Sequence, residues 1–533
     1  MRKDQMYPLG EVSSGGQTYR AYQMPFQNLF ETLEATALRF PDKVGLIDPA
    51  RQITYRDLRR EVELFAAYLA GACGIGRGDR VAICMVNSID FAVAFYGALK
   101  LGAAAVSLNS KLSGDEMAFI LRDSEARCLV VDTRWYPKVE PKLPETDVRH
   151  TLFCQVLPAG SGFGTYLSQA ADWPVPETVR DDSLPGNIMY TSGTTGKPKG
   201  AVMTHFNLMQ GMYAYVVEGD LDDAERTVIS VPVFHITGLN CLLTVFLFLG
   251  ALAVLVPYFH AEDVLDQMVR YRATHIHAVA TVFILLEAAM QNRGDLTDLR
   301  AALCGGGFIS RETIARFCRK APNCKFHPVY GMTETAGAGT FFPGHCLDSE
   351  IVDSCGKVNA NCEIRILDDN DQPVPTGTSG EICFRGAFVI ARYLRPEGNA
   401  AIRDGWLHSG DIGCFDEHGY LYIKDRKKDM INRGGEKVFS LAVENVIMEY
   451  GGIKQAVVFA VDDSLYGEVP AAVVIPEAGV EVDPEALRNY LREHLAHYKV
   501  PVYLEVRTGV PVTASGKVPK FLLRQEFNEK YAK

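Results

Sequence analysis

The sequence predicts an α/β fold in two domains, and three observations carry that prediction. Strand-like and helix-period segments alternate over the first 180 residues and again from about 226 to 333. Near residue 360 the texture changes to short β-type runs with turn signals. The chain's 533 residues also exceed what one hydrophobic core usually spans. Alternation implies mainly parallel sheets covered by helices, so the expectation is a large N-terminal domain of that kind with a small, antiparallel-rich, β-barrel-like region, followed by a small α+β C-terminal domain.

Taken in order, Gln27 to Phe40 reads as an amphipathic helix, VGLID at 44–48 as a strand and Thr54 to Gly71 as a second helix. VAICMV at 81–86 is a buried strand, followed by a helix from about Ser88 that Gly102 can end, then by AAAVSL at 103–108. The uncharged stretch Ile236 to Tyr258 is long enough to cross a bilayer. Its interior, however, holds Thr237, Asn240 and Thr244, and Gly250 separates a helical half from the β-type run ALAVLV, so a buried helix and strand are expected and no stable membrane span. Beyond 360, CEIRILDDNDQPV, GEICFRG and the GYLYI that ends at Ile423 are β-type. The dense charged run KDRKKDMINRGGEK, Lys424 to Lys437, marks a domain boundary within or just before it, dividing the chain into 1–424 and 425–533. From charge alone that run reads as a solvated surface loop. After it come the apolar runs QAVVFAV and AAVVIP and a helix candidate from Pro484 to His497.

Hydrophobic residues at 47% and charged residues at 22% exclude disordered and fibrous classes. A net charge of -11 repels nucleic acid and anionic lipid at long range. Thirteen cysteines without CxxC spacing suggest neither a disulfide framework nor a zinc ribbon, and the first twenty residues lack the apolar core of a secretory signal, which points to the cytoplasm. A homodimer stands as an expectation that no motif decides.

Residues 190–200 read YTSGTTGKPKG. A loop rich in Gly, Ser and Thr that ends in lysines offers backbone N–H groups, hydroxyls and positive charge to a polyphosphate. It is not a Walker A loop, because counting GxxxxGK[ST] from Gly193 puts Pro198 at the sixth position. With VPVFHITGL at 231–239, CGGGFIS at 304–310, VYGMTET at 329–335, GEICFRG at 380–386, WLHSGDIG at 406–413, the charged run and PVTASGKVPK at 511–520, the chain resembles the adenylate-forming superfamily of acyl-CoA synthetases, peptide-synthetase adenylation domains and firefly-type luciferases over nearly its whole length.

The resemblance implies a carboxylic acid:CoA ligase that uses ATP, Mg2+ and coenzyme A, with a mobile C-terminal domain. Thr191, Ser192, Gly193, Thr194, Thr195 and Lys199 would hold the β and γ phosphates; Tyr330, followed by Gly331, would stack on adenine; Thr333 would bond the α-phosphate; Glu334 would hold Mg2+, a hard cation suited to carboxylate oxygen. Gly305, Gly306 and Gly307 would let backbone approach adenine and acyl group closely. Asp411 would accept from the ribose hydroxyls with Arg426 nearby. Lys517 would be the catalytic lysine, offsetting the negative charge that gathers as a carboxylate attacks the α-phosphate. Lys428 matches the hinge position, and Gly434 and Gly435 would flank the CoA tunnel.

The chain departs from the pattern at Asn432, where some relatives have lysine, and at Phe439, Ser440 and Ala442, where a tyrosine-proline pair and a glutamate are common; Glu444 is retained. Phe234-His235 stands where amino-acid-activating relatives place an aspartate, so the acid lacks an α-amino group, and His235 would wall or gate the acyl pocket. Leu239 to Leu247 and Thr340 to Phe342 would line its apolar side, suited to fatty or aromatic acids. The alternatives are an acyl-AMP ligase that loads a carrier protein, a luciferase-like oxygenase and a non-catalytic adenylate-binding regulator.

Overall fold

A computed structural model describes residues 6–154, 163–192, 198–290, 295–307, 309–351, 353–511 and 518–531. Two compact units divide the chain: Met1–Ile364 with Phe384–Leu407 and Gly419–Leu421, and Arg365–Cys383 with His408–His418 and Tyr422–Lys533.

The first unit carries two sheets of mainly parallel strands. One has six strands in the order Pro198–Thr204, Pro185–Ser192, Ala104–Ser107, Arg80–Cys84, Cys128–Asp132, His150–Cys154. All its pairings are parallel except the first, an edge hairpin. The other has nine, running Lys357–Val358, Gly339–Phe341, Lys325–Gly331, Ala301–Gly305, His275–Val279, Arg226–Ile229, Leu252–Leu255, Val44–Ile47, Gln52–Thr54, parallel within and antiparallel at both ends. Strands Cys362–Leu367, Gly380–Gly386, Trp406–Phe415, Ile402–Arg403 and Leu421–Arg426 make a third sheet.

Local signals set the elements. Helix Ile89–Lys100 begins at Ser88, whose side chain accepts from Phe91 N–H, and Gly102 turns the chain at φ +69°. Every residue of that helix is buried, which accounts for an apolar pattern all round. Just before it, buried Asn87 donates to the carbonyls of Ile229, Val231 and Val256, each at 3.0 Å, and accepts from Val233 N–H at 2.8 Å, tying the two large sheets together.

The uncharged 236–258 stretch forms a short helix, Ile236–Gly238, a π-helical turn, Leu239–Thr244, helix Val245–Leu249 and strand Leu252–Leu255. Gly250 separates helix from strand at φ +79°, and a Cβ there would strike the Phe40 ring. Asn240 and Thr244 are satisfied: Asn240 Nδ2 donates to Leu208 and Ala336 carbonyls at 3.1 and 2.9 Å, and Thr244 bonds back to Asn240. No helix among the described residues is long and apolar enough to cross a membrane.

In the second unit, strands Glu436–Val438, Ile431–Arg433, Gly467–Pro476 and Ile453–Asp463 pair in that order, with Tyr503–Val506 parallel to Gly467–Pro476. Val457, Phe459 and Val461 pack with Leu523 and Phe527 of helix Lys520–Tyr531. Val458 and Ala460 face the opposite way, toward Val443 and Ile447 of helix Ser440–Glu449 and Leu487 and Leu491 of helix Pro484–His494. Both faces are covered, so the strand reads as a continuous apolar run.

Two readings need amendment. The helix candidate ends at His494, short of His497, and the charged run is only partly a loop: strand Leu421–Arg426 extends into it, Asp425 is 1% exposed, and Ile431–Arg433 and Glu436–Val438 form a hairpin.

Candidate active site

Two groups of the expected site residues come together, one in each unit. In the first, the YTSGTTGKPKG motif occupies the edge hairpin of the six-stranded sheet, where Thr191 pairs with Lys199 and Ser192 with Pro198. Gly193, Thr194 and Thr195 lie outside the described residues. The side chain of Thr191 reaches Glu334: its Oγ1 donates to Glu334 Oε1 at 3.0 Å. The Tyr393 hydroxyl donates to the same oxygen at 2.9 Å. Burial, reinforced by the Glu334 carboxylate, pushes the Tyr393 phenol well above its ordinary range, so it remains a donor. Glu334 is 5% exposed, and its backbone carbonyl accepts from Ile390 N–H at 2.9 Å.

Glu334 sits in the 3-10 turn Thr333–Thr335, directly after strand Lys325–Gly331. That strand pairs with Gly339–Phe341, Tyr330 opposite Thr340 and Gly331 opposite Gly339. A Cβ on Gly331 would meet the Gly337 carbonyl, so the tight return of the chain excludes any other residue. Thr335 Oγ1 accepts from Met332 N–H at 3.0 Å and donates to the Ala338 carbonyl, while Asn240 holds the Ala336 carbonyl from the other side. The turn that presents Thr333 and Glu334 is therefore fastened at three points.

Tyr330 is buried, its ring 5.7 Å from Phe384. Gly305 closes the adjacent parallel strand, and a Cβ there would crowd Val329; Gly306 follows at φ +74°, and Gly307 faces open space. The glycine run and Tyr330–Gly331 thus share the carboxyl ends of neighbouring parallel strands, where open α/β sheets bind ligands. His235 directly precedes the short helix Ile236–Gly238, half-buried, its ring edge-on to Phe234 at 4.8 Å. Leu239, Leu242, Leu243, Val245, Phe246 and Leu247 are fully buried, as are Thr340, Phe341 and Phe342. Tyr215 donates to the Gly337 carbonyl at 2.9 Å and packs 5.5 Å from the His277 ring, whose basicity burial lowers to a pKa of about 3.

In the second unit Asp411, 3% exposed, pairs with Arg426 at 2.7 Å between Oδ1 and Nε. Lys428 is exposed in the turn after Arg426, closed by Asp429 and Met430 N–H groups on the Arg426 carbonyl. Gly434 and Gly435 form the two-residue turn of the Ile431–Arg433/Glu436–Val438 hairpin, with φ +59° and +94°. Two positive φ angles in a two-residue hairpin turn call for this pair on backbone grounds alone. Lys517 lies outside the described residues.

The departures acquire reasons here. Asn432 Oδ1 accepts from Gly435 N–H at 3.1 Å, so its side chain fixes the glycine turn where some relatives carry a cation. Ser440 donates both its N–H and its hydroxyl to buried Asp425 and accepts from Lys520 at 2.7 Å; a proline there has no N–H to give. Lys520 also pairs with Glu444 at 2.8 Å. Sequence reasoning gave no role to Tyr393, Asn240, Glu381 or Asp425. Of these, Glu381 and Asp425 lay within quoted motifs, and their burial was the missing signal.

Residues 33–394 match the model of the AMP-binding enzyme family and residues 442–517 that of the AMP-binding enzyme C-terminal domain. The chain belongs to this family, the adenylate-forming enzymes. It is similar to a feruloyl-CoA synthase from Amycolatopsis, 35% identical over 89% of this chain and 94% of that protein. A crotonobetaine/carnitine–CoA ligase from Escherichia fergusonii is 32% identical over 92% and 96% of the two chains. Among solved structures, the o-succinylbenzoate coenzyme A synthetase of Bacillus subtilis, in complex with ATP and magnesium ion, superposes with a TM-score of 0.82 at 30% identity, covering 93% of this chain and 98% of that one.

Proposed function

We propose that this protein activates a fatty or aromatic carboxylic acid without an α-amino group and transfers it to coenzyme A. It is an AMP-forming acid:CoA ligase. In the first half-reaction a carboxylate oxygen of the acid bonds to the α-phosphorus of ATP and the bond to the β-phosphate oxygen breaks, giving acyl-AMP and pyrophosphate. In the second, the CoA sulfur bonds to the acyl carbon, the bond to AMP breaks, and the thiol proton is lost.

The observation that carries the reading is the meeting of Thr191 and Tyr393 on one buried carboxylate oxygen of Glu334, which brings the phosphate-motif hairpin to the VYGMTET turn. Both hydroxyls use Oε1, so among the described residues no bond falls on Oε2, and a single hard oxygen suits Mg2+, which takes few protein ligands beside phosphates and water. Bound there, Mg2+ would neutralise phosphate charge. Thr191, Ser192, Gly193, Thr194, Thr195 and Lys199 then cradle the leaving pyrophosphate, Thr333 the α-phosphate, and Tyr330 with Gly305–Gly307 the adenine. Asp411 and Arg426 take the ribose, and Lys517 the negative charge between the reacting groups.

We assign the working division to 1–424 and 425–533 with the hinge near Lys428, so that one pose of the C-terminal part serves adenylation and another thioester formation. Thirteen free thiols suit a reducing compartment, and we assign the enzyme to the cytoplasm. The test is a panel of acids of varied length and aromaticity with ATP, Mg2+ and CoA. Pyrophosphate release that needs both acid and Mg2+, followed by acyl-CoA on adding CoA, is expected. Pyrophosphate and acyl-AMP without acyl-CoA at any acid would transfer the assignment to a carrier-protein ligase.

A further inference from the structure

We propose that Glu381 is a positioning residue that aligns the Asp411–Arg426 pair and so sets the enzyme's preference for ribonucleotide over deoxyribonucleotide. The inference rests on the assignment of Asp411 and Arg426 to the ribose hydroxyls.

Glu381 is 6% exposed, and the chain neighbours of both ribose residues converge on it. Its Oε1 accepts from Gly410 N–H at 3.1 Å, one residue before Asp411. Its Oε2 accepts from Lys427 Nζ at 3.1 Å, one residue after Arg426, and His408 Nδ1 lies 3.2 Å from the same oxygen. Lys427 N–H donates to the Gly410 carbonyl at 2.8 Å, so the two segments are also joined directly. Gly410 holds φ +72°, and the turn is braced by Ser409, whose Oγ donates to the Ile382 carbonyl at 2.6 Å and accepts from Asp411 N–H at 3.0 Å.

An ionised carboxylate accepts on both oxygens at once, here from Gly410 on one segment and Lys427 on the other. Burial works against that charge, but Lys427 and His408 outweigh it and hold the carboxyl below its ordinary range. Lys427 has a second carboxylate, Asp369, at 3.3 Å, but Asp369 is largely exposed, where an ion pair adds little. Glu381 reaches no ribose itself in this account. It fixes the distance between the two groups that do.

The experiment measures acid-dependent pyrophosphate release by the full-length enzyme with ATP, 2′-deoxyATP and 3′-deoxyATP, using whichever acid supports release best. The parent protein is expected to favour ATP, and Glu381→Gln, which keeps shape but loses charge, to shrink the ATP-to-deoxyATP ratio of kcat/KM by about tenfold, mainly through the KM for ATP. Glu381→Asp, which keeps the charge, restores part of the ratio, and Asp369→Asn leaves it unchanged. A Glu381→Gln enzyme slowed equally on all three nucleotides overturns the inference, since general damage does not read a ribose hydroxyl. If Gln prevents folding, the Asp variant carries the same test: an unaltered KM for ATP together with an unaltered ratio overturns it. A parent enzyme indifferent to the ribose hydroxyls overturns the ribose assignment and the inference with it. Absence of acid-dependent release from the parent overturns the activation reading itself.

Discussion

At residue scale the site depends on single buried atoms. Tyr393 is the clearest case, because removing its hydroxyl leaves Glu334 Oε1 with one donor in place of two. Tyr393→Phe is expected to raise the Mg2+ concentration needed for half-maximal pyrophosphate release and to lower kcat by about tenfold, the worth of one hydrogen bond to a charged group. An unchanged Mg2+ dependence would separate Tyr393 from the metal. His205 supplies a pH prediction. Fully buried, it accepts from Leu29 N–H at 3.2 Å through Nδ1, and burial lowers its pKa to about 4. The unfolded chain binds this proton near pH 6.5 and the folded one does not, so the contribution is full above about 6.5 and is lost as pH falls toward 4, at up to about 1.4 kcal/mol per pH unit. Urea midpoints of His205→Asn should therefore fall less steeply over that window than those of the parent, whatever the absolute stability. Thr191 and Glu334 were legible as members of motifs, but their meeting was not, since 142 intervening residues separate them in the chain (334 − 191 − 1). Tyr393 belonged to no motif, and only the fold brings it to Glu334.

At the scale of elements, local chemistry was read well where one residue decides a boundary. Ser88, Gly102 and Gly250 each stand at the junction expected of them, because a cap or a positive φ is a property of the residue and its immediate neighbours. The hairpin Leu9–Ser14/Gln17–Tyr22 lies outside the alternating pattern, yet its two-residue turn, Gly15-Gly16 at φ +58° and +79°, matches the turn at Gly434-Gly435. A glycine pair flanked by strand-forming residues was the available signal in both places. The charged run misled because its charge count conceals Asp425 and Ile431, which are buried, and partnering rather than composition decides burial. The same hairpin gives a prediction about the second half-reaction. Gly435→Ala meets no neighbour within 4 Å but must hold φ +94°, at a cost of about 1 kcal/mol or more. Acyl-CoA formation from supplied acyl-AMP should slow while acid-dependent pyrophosphate release stays near the parent's rate. Equal loss in both steps would remove the turn from the CoA path.

At the scale of the whole molecule, one chain runs two reactions that ask for different surroundings. The α/β class and the two-part organisation were visible in alternation and length, since buried parallel strands and covering helices impose their periods on sequence. Asp425–Ser440–Lys520–Glu444 was not, because it joins groups whose pairing only tertiary structure defines. These contacts replace the proline common in relatives with a serine that donates twice, so the departure there is compensated inside the second unit. The most direct test of the whole scheme is Lys517→Ala assayed in each half-reaction separately. Adenylation should fall roughly 100- to 1000-fold, about 3 to 4 kcal/mol of lost charge stabilisation, while conversion of supplied acyl-AMP and CoA to thioester persists. Adenylation at the parent's rate, or a matching collapse of the thioester step, would contradict it.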